Sequence, residues 1–121
     1  MLAVLDGPVL SLIAMRVSDL ERSISFYSAI GLTFEREQHG SGPVHYAVFM
    51  GSTVLELYPA SERFPVQAMH LGFTVASIDA VFATWRQTDF RILTKPKESL
   101  WGLRAVVADS DGHRIELTQR N

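Results

Sequence analysis

Two glutamates occupy equivalent places in two apolar segments, and they are the residues of this chain best suited to chemistry. Glu56 lies within Val-Leu-Glu-Leu and Glu116 within Arg-Ile-Glu-Leu, and a shift of 60 residues superimposes the two segments. Each segment reads as a strand, and a carboxylate in an apolar strand is costly to bury unless a partner compensates its charge. A divalent cation or a polar ligand would be such a partner. His70 begins a third apolar segment and is expected on the same side of the sheet.

These residues belong to an internal repeat. A shift of 58 places Val17 on Val75 and Tyr27 on Trp85. Each copy runs from a strand through an amphipathic helix to a carboxylate in a strand. A repeated unit of this kind cannot bury its apolar face alone and packs against its duplicate. The boundary between two such units is a natural place for a ligand site.

The hydrophobic pattern predicts the order β-α-β-β-β in both copies. Ser18 and Glu21 have the spacing of a capping box, and Gly31 supplies the helix stop, while Ser77 can cap the second helix. We expect one α+β domain over residues 1–121, with modules at about 8–58 and 67–119 and a linker at 59–65. The predicted strands are 9–17, 32–37, 44–50 and 53–58, then 69–75, 90–94, 103–108 and 113–118, with a loop at 95–102.

Strand alternation predicts which side chains share a face with the first glutamate. A two-residue turn at Gly51-Ser52 pairs Glu56 with Ala47 and places three candidate pocket residues on the same face. These are His45, Phe49 and Tyr58. The opposite face of the hairpin is apolar and suited to packing under the helices.

Strand alternation also predicts which side chains share a face with the second glutamate. A two-residue turn at Asp111-Gly112 pairs Glu116 with Val107, directs Arg104 toward the helices and leaves His113 exposed. Trp101 lies in the loop at 97–103 and is a further candidate to close over a ligand.

Composition narrows the possible partners. The net charge is −2 with basic residues scattered, so nucleic acid is not expected as a partner. Cysteine is absent, which excludes disulfides and thiolate metal sites. No segment approaches the roughly 20 apolar residues of a membrane span. We therefore expect a cytoplasmic protein that binds a small molecule and requires no organic cofactor.

The chain resembles the vicinal oxygen chelate superfamily, which includes glyoxalase I, extradiol dioxygenases, and the fosfomycin- and bleomycin-resistance proteins. The resemblance spans about residues 10–119 and rests on five segments in order. They are Arg-Val-Ser-Asp-Leu-Glu-Arg-Ser at 16–23 with Phe26-Tyr27, Gly31-Leu32, the glutamate segment at 54–57, Met-His-Leu-Gly-Phe at 69–73, and the segment 109–117. It implies that the modules form a curved, cup-shaped mixed sheet around a divalent metal, with the helices on the outer face.

The resemblance also implies a site. By position, the metal ligands are Glu56, His70 and Glu116, and the metal is Zn, Ni, Mn or Fe. The remaining ligand place falls on Leu12, which cannot coordinate, and His45 is a candidate to stand in for it. The implied enzyme is a lyase or isomerase for a substrate with vicinal oxygens, in which Glu56 or Glu116 transfers a proton. A ring-cleaving dioxygenase is disfavoured, because such sites use two histidines and one carboxylate.

The main alternative is a metal-free binding protein like the bleomycin-resistance members. Such a protein holds a flat, cationic molecule against aromatic side chains and carboxylates, and Leu12 favours this interpretation. A module with the fold but no intact site is a third alternative. Family members also pair two chains, so we expect a homodimer, with sites either within one chain or shared between chains.

Overall fold

The computed structural model describes residues 7–86 and 88–120. The first half contains one helix and four strands, and the second half repeats this order. In the first half they are β1 (Leu12–Val17), α1 (Leu20–Ser28), β2 (Glu35–Glu37), β3 (His45–Met50) and β4 (Thr53–Pro59). In the second half they are β5 (His70–Val75), α2 (Ile78–Trp85), β6 (Phe90–Ser99), β7 (Gly102–Asp109) and β8 (Arg114–Gln119).

The strands form two mixed sheets of four strands each. Their orders are β1-β4-β3-β2 and β5-β8-β7-β6, and in both the first and last strands of the module pair in parallel. The remaining pairs are antiparallel. The expected α+β fold of two tandem β-α-β-β-β modules is confirmed, with the hydrogen-bonded ladder divided into one sheet per module.

One apolar core covers the helix-facing side of both sheets. It includes Met15 and Leu55 from the first sheet and Ile115 and Leu117 from the second, all fully buried. Trp85 of α2 stacks on Phe26 of α1 at 4.3 Å between ring centroids, and its indole N–H donates to the Phe26 carbonyl at 2.7 Å. The opposite face of each sheet lines the cup.

The turn between β7 and β8 ties the second module to the first. The Tyr27 hydroxyl donates to Asp109 at 2.6 Å, and burial together with this carboxylate raises the pKa of Tyr27. The His113 ring accepts a hydrogen bond from the Met69 amide through Nδ1 at 3.0 Å, so Nε2–H donates to the Arg16 carbonyl at 3.0 Å. His113 is fully buried, so its expected exposure was wrong. The reason is that the turn packs on the other module, which local sequence cannot reveal.

Helix starts were predicted to within one residue. Ser77 caps α2 by accepting from the Ala80 amide at 3.1 Å, as expected. In α1 the cap is Asp19, which accepts from the Arg22 amide at 3.1 Å. Ser18, the predicted cap, instead donates its hydroxyl to Asp111 of the β7–β8 turn. A contact distant in sequence therefore moved the cap by one residue.

The segment predicted as a loop at 95–102 is mostly strand. β6 extends to Ser99, and its pairing with β7 shifts register between Ile92 and Thr94 and again between Thr94 and Lys97. Such bulges interrupt the alternation of apolar and polar residues on which strand prediction depends. Pro96, which has no amide hydrogen to donate, lies in the second irregular stretch.

Candidate functional site

Strand pairing arranges the side chains of the first sheet in rows across its cup-facing surface, hereafter the first cup face. The predicted Gly51-Ser52 turn is confirmed, because Ala47 pairs with Glu56 and Met50 with Thr53. The rows are Leu12, Val54 and Phe49; then Ala14, Glu56, Ala47 and Glu35; then Arg16 and Tyr58 beside His45 and Glu37. His45, Phe49, Tyr58 and Glu56 therefore share one face, as predicted.

The first row is apolar and open. Leu12 is 53% exposed and Phe49 is 64% exposed, although both are large hydrophobic residues. Met15 and Val17 of the same strand are buried in the core, so alternation directs Leu12 toward the cup. The side chain in the first ligand place is therefore a hydrocarbon that offers no donor atom.

The third row contains a convergent polar group that sequence reasoning found only in part. His45 is 1% exposed and stacks on the Tyr58 ring at 4.2 Å. Its Nε2 lies 3.2 Å from Glu37 Oε1 and 3.9 Å from Glu56 Oε2. His39 Nε2 lies 3.6 Å from the same Glu37 oxygen. Glu37 and His39 were missed; the available signal was that Glu37, His39 and His45 flank one glycine-containing loop between two predicted strands.

Arg16 closes the end of this row. Its guanidinium lies over the Tyr58 ring at 4.8 Å and over Phe64 at 4.3 Å, and it donates to the Pro59 carbonyl at 3.2 Å. Desolvation of the phenol, followed by the nearby Glu56 carboxylate, raises the pKa of Tyr58, and Arg16 opposes this shift. An apolar cavity of about 340 Å³ adjoins Tyr58 and Phe64.

The second sheet has corresponding rows on its second cup face. They are His70, Arg114, Ala108 and Arg91; then Gly72, Glu116, Val106 and Thr94; then Thr74, Thr118, Arg104 and Lys97. Glu116 therefore holds the place that Glu56 holds in the first sheet. Gly72 stands beside Glu116 as Ala14 stands beside Glu56.

The predicted register of the second hairpin was wrong by one residue. Glu116 pairs with Val106 and not with Val107. The turn is one residue longer than expected, because the Asp109 amide bonds the His113 carbonyl and Gly112 adopts a positive φ of 88°. A shift of one residue moves every side chain of a strand to the other face. Arg104 consequently faces the cup and not the helices.

The Arg104 guanidinium lies in direct contact with the Glu116 carboxylate. It donates to Glu116 Oε1 at 2.8 Å, while His70 Nε2 lies 3.7 Å from the same oxygen. The hydrogen bond from Arg104 is the main reason why the pKa of Glu116 lies below its ordinary value. The charge of this carboxylate is thus compensated by a fixed cation of the chain itself.

The metal centre implied by the family does not fit the residues within one chain. Leu12 supplies no donor, and Arg104 already engages Glu116. The structure brings His70 and Glu116 together, but it leaves Glu56 beside His45 on the other sheet. Within residues 7–86 and 88–120, the group of three whose ligand atoms all lie within 4.8 Å of one another is Glu37, His39 and His45.

Trp101 lies over the second cup face. It sits in the turn between β6 and β7, is 67% exposed, and lines a cavity of about 300 Å³ with Thr74 and Thr118. A larger cavity of about 630 Å³ lies outside the cup, between Arg22 and the β7–β8 turn. Its three carboxylates already have partners, because Asp89 lies 3.9 Å from Arg22, Asp109 accepts from Tyr27 and Asp111 accepts from Ser18. The cup is therefore the better candidate for ligand binding.

The fold has close structural relatives among solved proteins. An antibiotic-binding protein, TnmS3 from Streptomyces sp. CB03234, is 25% identical with a TM-score of 0.72, and the alignment covers 96% of this chain and 98% of that chain. A glyoxalase/bleomycin resistance protein from the same organism is 26% identical with a TM-score of 0.68, covering 92% and 100%. The trypanothione-dependent glyoxalase I of Leishmania major is 25% identical with a TM-score of 0.70, covering 93% and 87%.

A comparison with curated protein sequences found no match. No helix in the part of the chain that the structure describes is long and apolar enough to cross a membrane. The family model of the Glyoxalase/Bleomycin resistance protein/Dioxygenase superfamily matches residues 9–117, nearly the whole of both modules. The repeated modules, the cup faces and this match together lead to one conclusion: the chain belongs to the glyoxalase/bleomycin resistance protein/dioxygenase superfamily.

Proposed function

We propose that this protein binds a flat small organic molecule in its cup without using the family metal centre. The observation that carries the proposal is the open apolar row of Leu12, Val54 and Phe49 directly beside Glu56. Exposed apolar surface next to a specific polar group is the usual composition of a small-molecule site. A ligand ring would cover the apolar row, and a basic group on the ligand would face Glu56.

The two central carboxylates differ in a way that supports this choice of ligand. Glu116 is compensated by the Arg104 guanidinium at 2.8 Å. Among the residues that the structure describes, the basic group within 4 Å of Glu56 is His45 Nε2 at 3.9 Å, which is too long for a hydrogen bond. A partly buried carboxylate without a bonded cation favours a ligand that brings its own donor. The likeness to an antibiotic-binding protein at 25% identity is consistent with a binding role.

We further propose that the working unit is a homodimer in which the first cup face of one protomer meets the second cup face of its partner. The first face carries an excess of acidic groups, and the second an excess of basic ones. Glu35, Glu37 and Glu56 outnumber Arg16 on the first, and Arg91, Lys97, Arg104 and Arg114 outnumber Glu116 on the second. Opposite charges on two faces of one chain favour pairing of unlike faces. Such a dimer would cover Leu12 and Phe49 and enclose a ligand between the sheets.

Binding is testable with proflavine, a flat cationic dye, and anilinonaphthalene sulfonate, an aromatic anion. We expect wild-type protein to bind proflavine more tightly, as measured by dye fluorescence anisotropy. Glu56→Gln should weaken proflavine binding about tenfold, the range for loss of one charge-assisted hydrogen bond. It should not weaken binding of the anion, because it removes a negative charge that repels it. Phe49→Ser should weaken the binding of both dyes, because it removes apolar contact area.

The control is Ile92→Ser, which removes a hydrophobic side chain of comparable exposure on the helix-facing side of β6. This variant should bind both dyes as wild type does. A tighter complex with the anion, or equal losses in Phe49→Ser and Ile92→Ser, would contradict the proposed site.

The second candidate function is a metal-dependent lyase or isomerase. The observation in its favour is the His70–Glu116 pair, whose ligand atoms lie 3.7 Å apart, together with the 25% identity to a glyoxalase I. In this proposal Glu56, His70 and Glu116 would hold the metal, which would supply Lewis-acid chemistry, and Glu56 or Glu116 would transfer a proton. The three would meet only where the first cup face of one protomer meets the second of its partner.

The lyase proposal is tested by metal analysis of the untagged protein after loading with zinc or nickel. It requires that the metal-to-protein ratio fall by one ion per site in His70→Gln and in Glu116→Gln. A ratio unchanged in both variants would reject this candidate and leave the binding protein as the better account.

A further inference from the structure

We propose that Glu37, His39 and His45 form a divalent-cation site at the β2–β3 edge of the first cup face, separate from the family metal centre. One carboxylate oxygen and two imidazole nitrogens of these residues lie within 4.8 Å of one another. Two histidines and one carboxylate suit zinc, iron, cobalt or nickel better than calcium or magnesium. This site does not depend on Leu12, His70 or Glu116.

The spacing of the donor atoms agrees with a small coordination sphere. Ligands about 2.05 Å from a tetrahedral zinc ion lie about 3.3 Å from one another. Glu37 Oε1 is 3.2 Å from His45 Nε2 and 3.6 Å from His39 Nε2. The carboxylate therefore already stands at the correct separation from both imidazoles.

The tautomer of His45 is the second observation that points to a cation. Its Nδ1 lies 3.2 Å from the Pro43 carbonyl oxygen, which can only accept, so Nδ1 carries the hydrogen. In a neutral ring, Nε2 then directs its lone pair at the Glu37 carboxylate 3.2 Å away. That arrangement is repulsive unless a proton or a metal ion lies between the two atoms. A ligating histidine whose other nitrogen donates to a carbonyl is the usual arrangement at metal sites.

The local fold holds two of the three donors in place. Glu37 and His45 are directly paired on β2 and β3, and His45 is buried with its ring stacked on Tyr58. His39 follows Glu37 by two residues and lies in the loop that returns the chain to β3, with its ring 5.2 Å from that of His45. Only this one side chain must become ordered when an ion binds, so the entropic cost is small.

Glu56 adjoins the site on its cup side. Its Oε2 lies 3.9 Å from His45 Nε2, so an ion held by the three residues would have its remaining position next to Glu56. Glu56 or solvent would complete the shell. The site therefore stands at the margin of the proposed small-molecule pocket and not at its centre.

The probe is zinc chloride, titrated into the untagged full chain and followed by calorimetry and by NMR of the histidine ring signals. We expect one zinc ion per chain, with signals of His39 and His45 shifting and those of His113 unchanged. His39→Gln and Glu37→Gln should each weaken zinc binding by more than about tenfold. His39 is exposed, so its replacement leaves the fold intact.

His70→Gln is the matched control, because it removes the one cup-face histidine of the other module. Zinc affinity unchanged in this variant, with loss in His39→Gln, supports the proposed site. Loss in His70→Gln with retention in His39→Gln would overturn it in favour of the family centre. Absence of zinc binding to wild-type protein would also overturn it, and would show that His45 and Glu37 share only a proton.

Discussion

At the level of single residues, the two central carboxylates of the cup differ in the basic side chain that lies next to each. Glu116 and Glu56 hold equivalent places in the repeat, and each has a nitrogen-bearing side chain on the neighbouring strand, Arg104 and His45 respectively. Arginine is a permanent cation that binds the carboxylate directly, whereas histidine leaves its carboxylate open to a ligand. One carboxylate of the repeat is therefore committed to an internal ion pair, and the other remains available.

The Arg104–Glu116 ion pair makes the stability of the protein depend on pH. Arg104 holds the pKa of Glu116 below its ordinary value, which is the value expected in the unfolded chain. The ion pair therefore contributes stability above the unfolded-state pKa, and this contribution is lost as the pH falls through the folded-state pKa. Arg104→Leu should raise the pKa of Glu116, as measured by NMR titration of its side-chain carboxyl. An unchanged pKa would mean that the ion pair does not form in solution.

Leu12 and Arg104 are the two residues that oppose the family centre where the first cup face of one protomer meets the second of its partner. Leu12→His alone adds a donor to the cup but leaves Arg104 on Glu116. We expect Leu12→His combined with Arg104→Leu to bind zinc at least about tenfold more tightly than Leu12→His alone, or about 1.4 kcal/mol. The titration is made in a Glu37→Gln, His39→Gln background, which removes the donors at the β2–β3 edge. Equal affinity of the two variants would show that Arg104 does not oppose metal binding.

At the level of elements, the turns control which side chains reach the cup. Gly102 begins β7 at the tight β6–β7 turn, with a φ of 112°, and a Cβ there would collide with the backbone carbonyl of Gln119. The residue at this place sets the approach of β7 to β8, and hence the position of Arg104 beside Glu116.

Gly102→Ala should therefore destabilise the protein more than Gly40→Ala. Both positions have positive φ, but nothing lies within 4 Å of a Cβ at Gly40. Gly40→Ala should lower the free energy of unfolding by only the roughly 1–2 kcal/mol that a non-glycine residue costs in the left-handed conformation. Gly102→Ala should lower it by clearly more. Urea unfolding of both variants provides the measurement. Equal losses would mean that β7 and β8 separate at this end without cost.

At the level of the whole molecule, the unlike charges of the two cup faces predict a dimer sensitive to salt. Light scattering should give twice the 13.5 kDa mass of one chain at micromolar concentration. Glu35→Lys and Arg114→Glu should each weaken the dimer, because each places like charges across the proposed interface. A mixture of the two variants should recover part of the affinity. A monomer in wild-type protein at all concentrations would contradict the dimer.

Much of the architecture followed from the sequence alone. Both helices, the first hairpin and the sharing of a face by His45, Phe49, Glu56 and Tyr58 depend on local alternation and turn residues, which the sequence displays directly. The repeat of 60 residues between Glu56 and Glu116 likewise placed the two carboxylates at equivalent positions. These features involve neighbours in the chain or a duplicated pattern, so no long-range contact was needed to predict them.

Tertiary structure alone decided the features that depend on distant contacts or on one residue of register. The extra residue in the β7–β8 turn brought Arg104 to Glu116, and packing of that turn on the first module buried His113. Glu37 and His39 joined His45 through strand pairing across a glycine-rich loop. The physical reason is the period of two in a strand: a single-residue change in a turn reverses which side chains meet, and only the assembled sheet reveals the result.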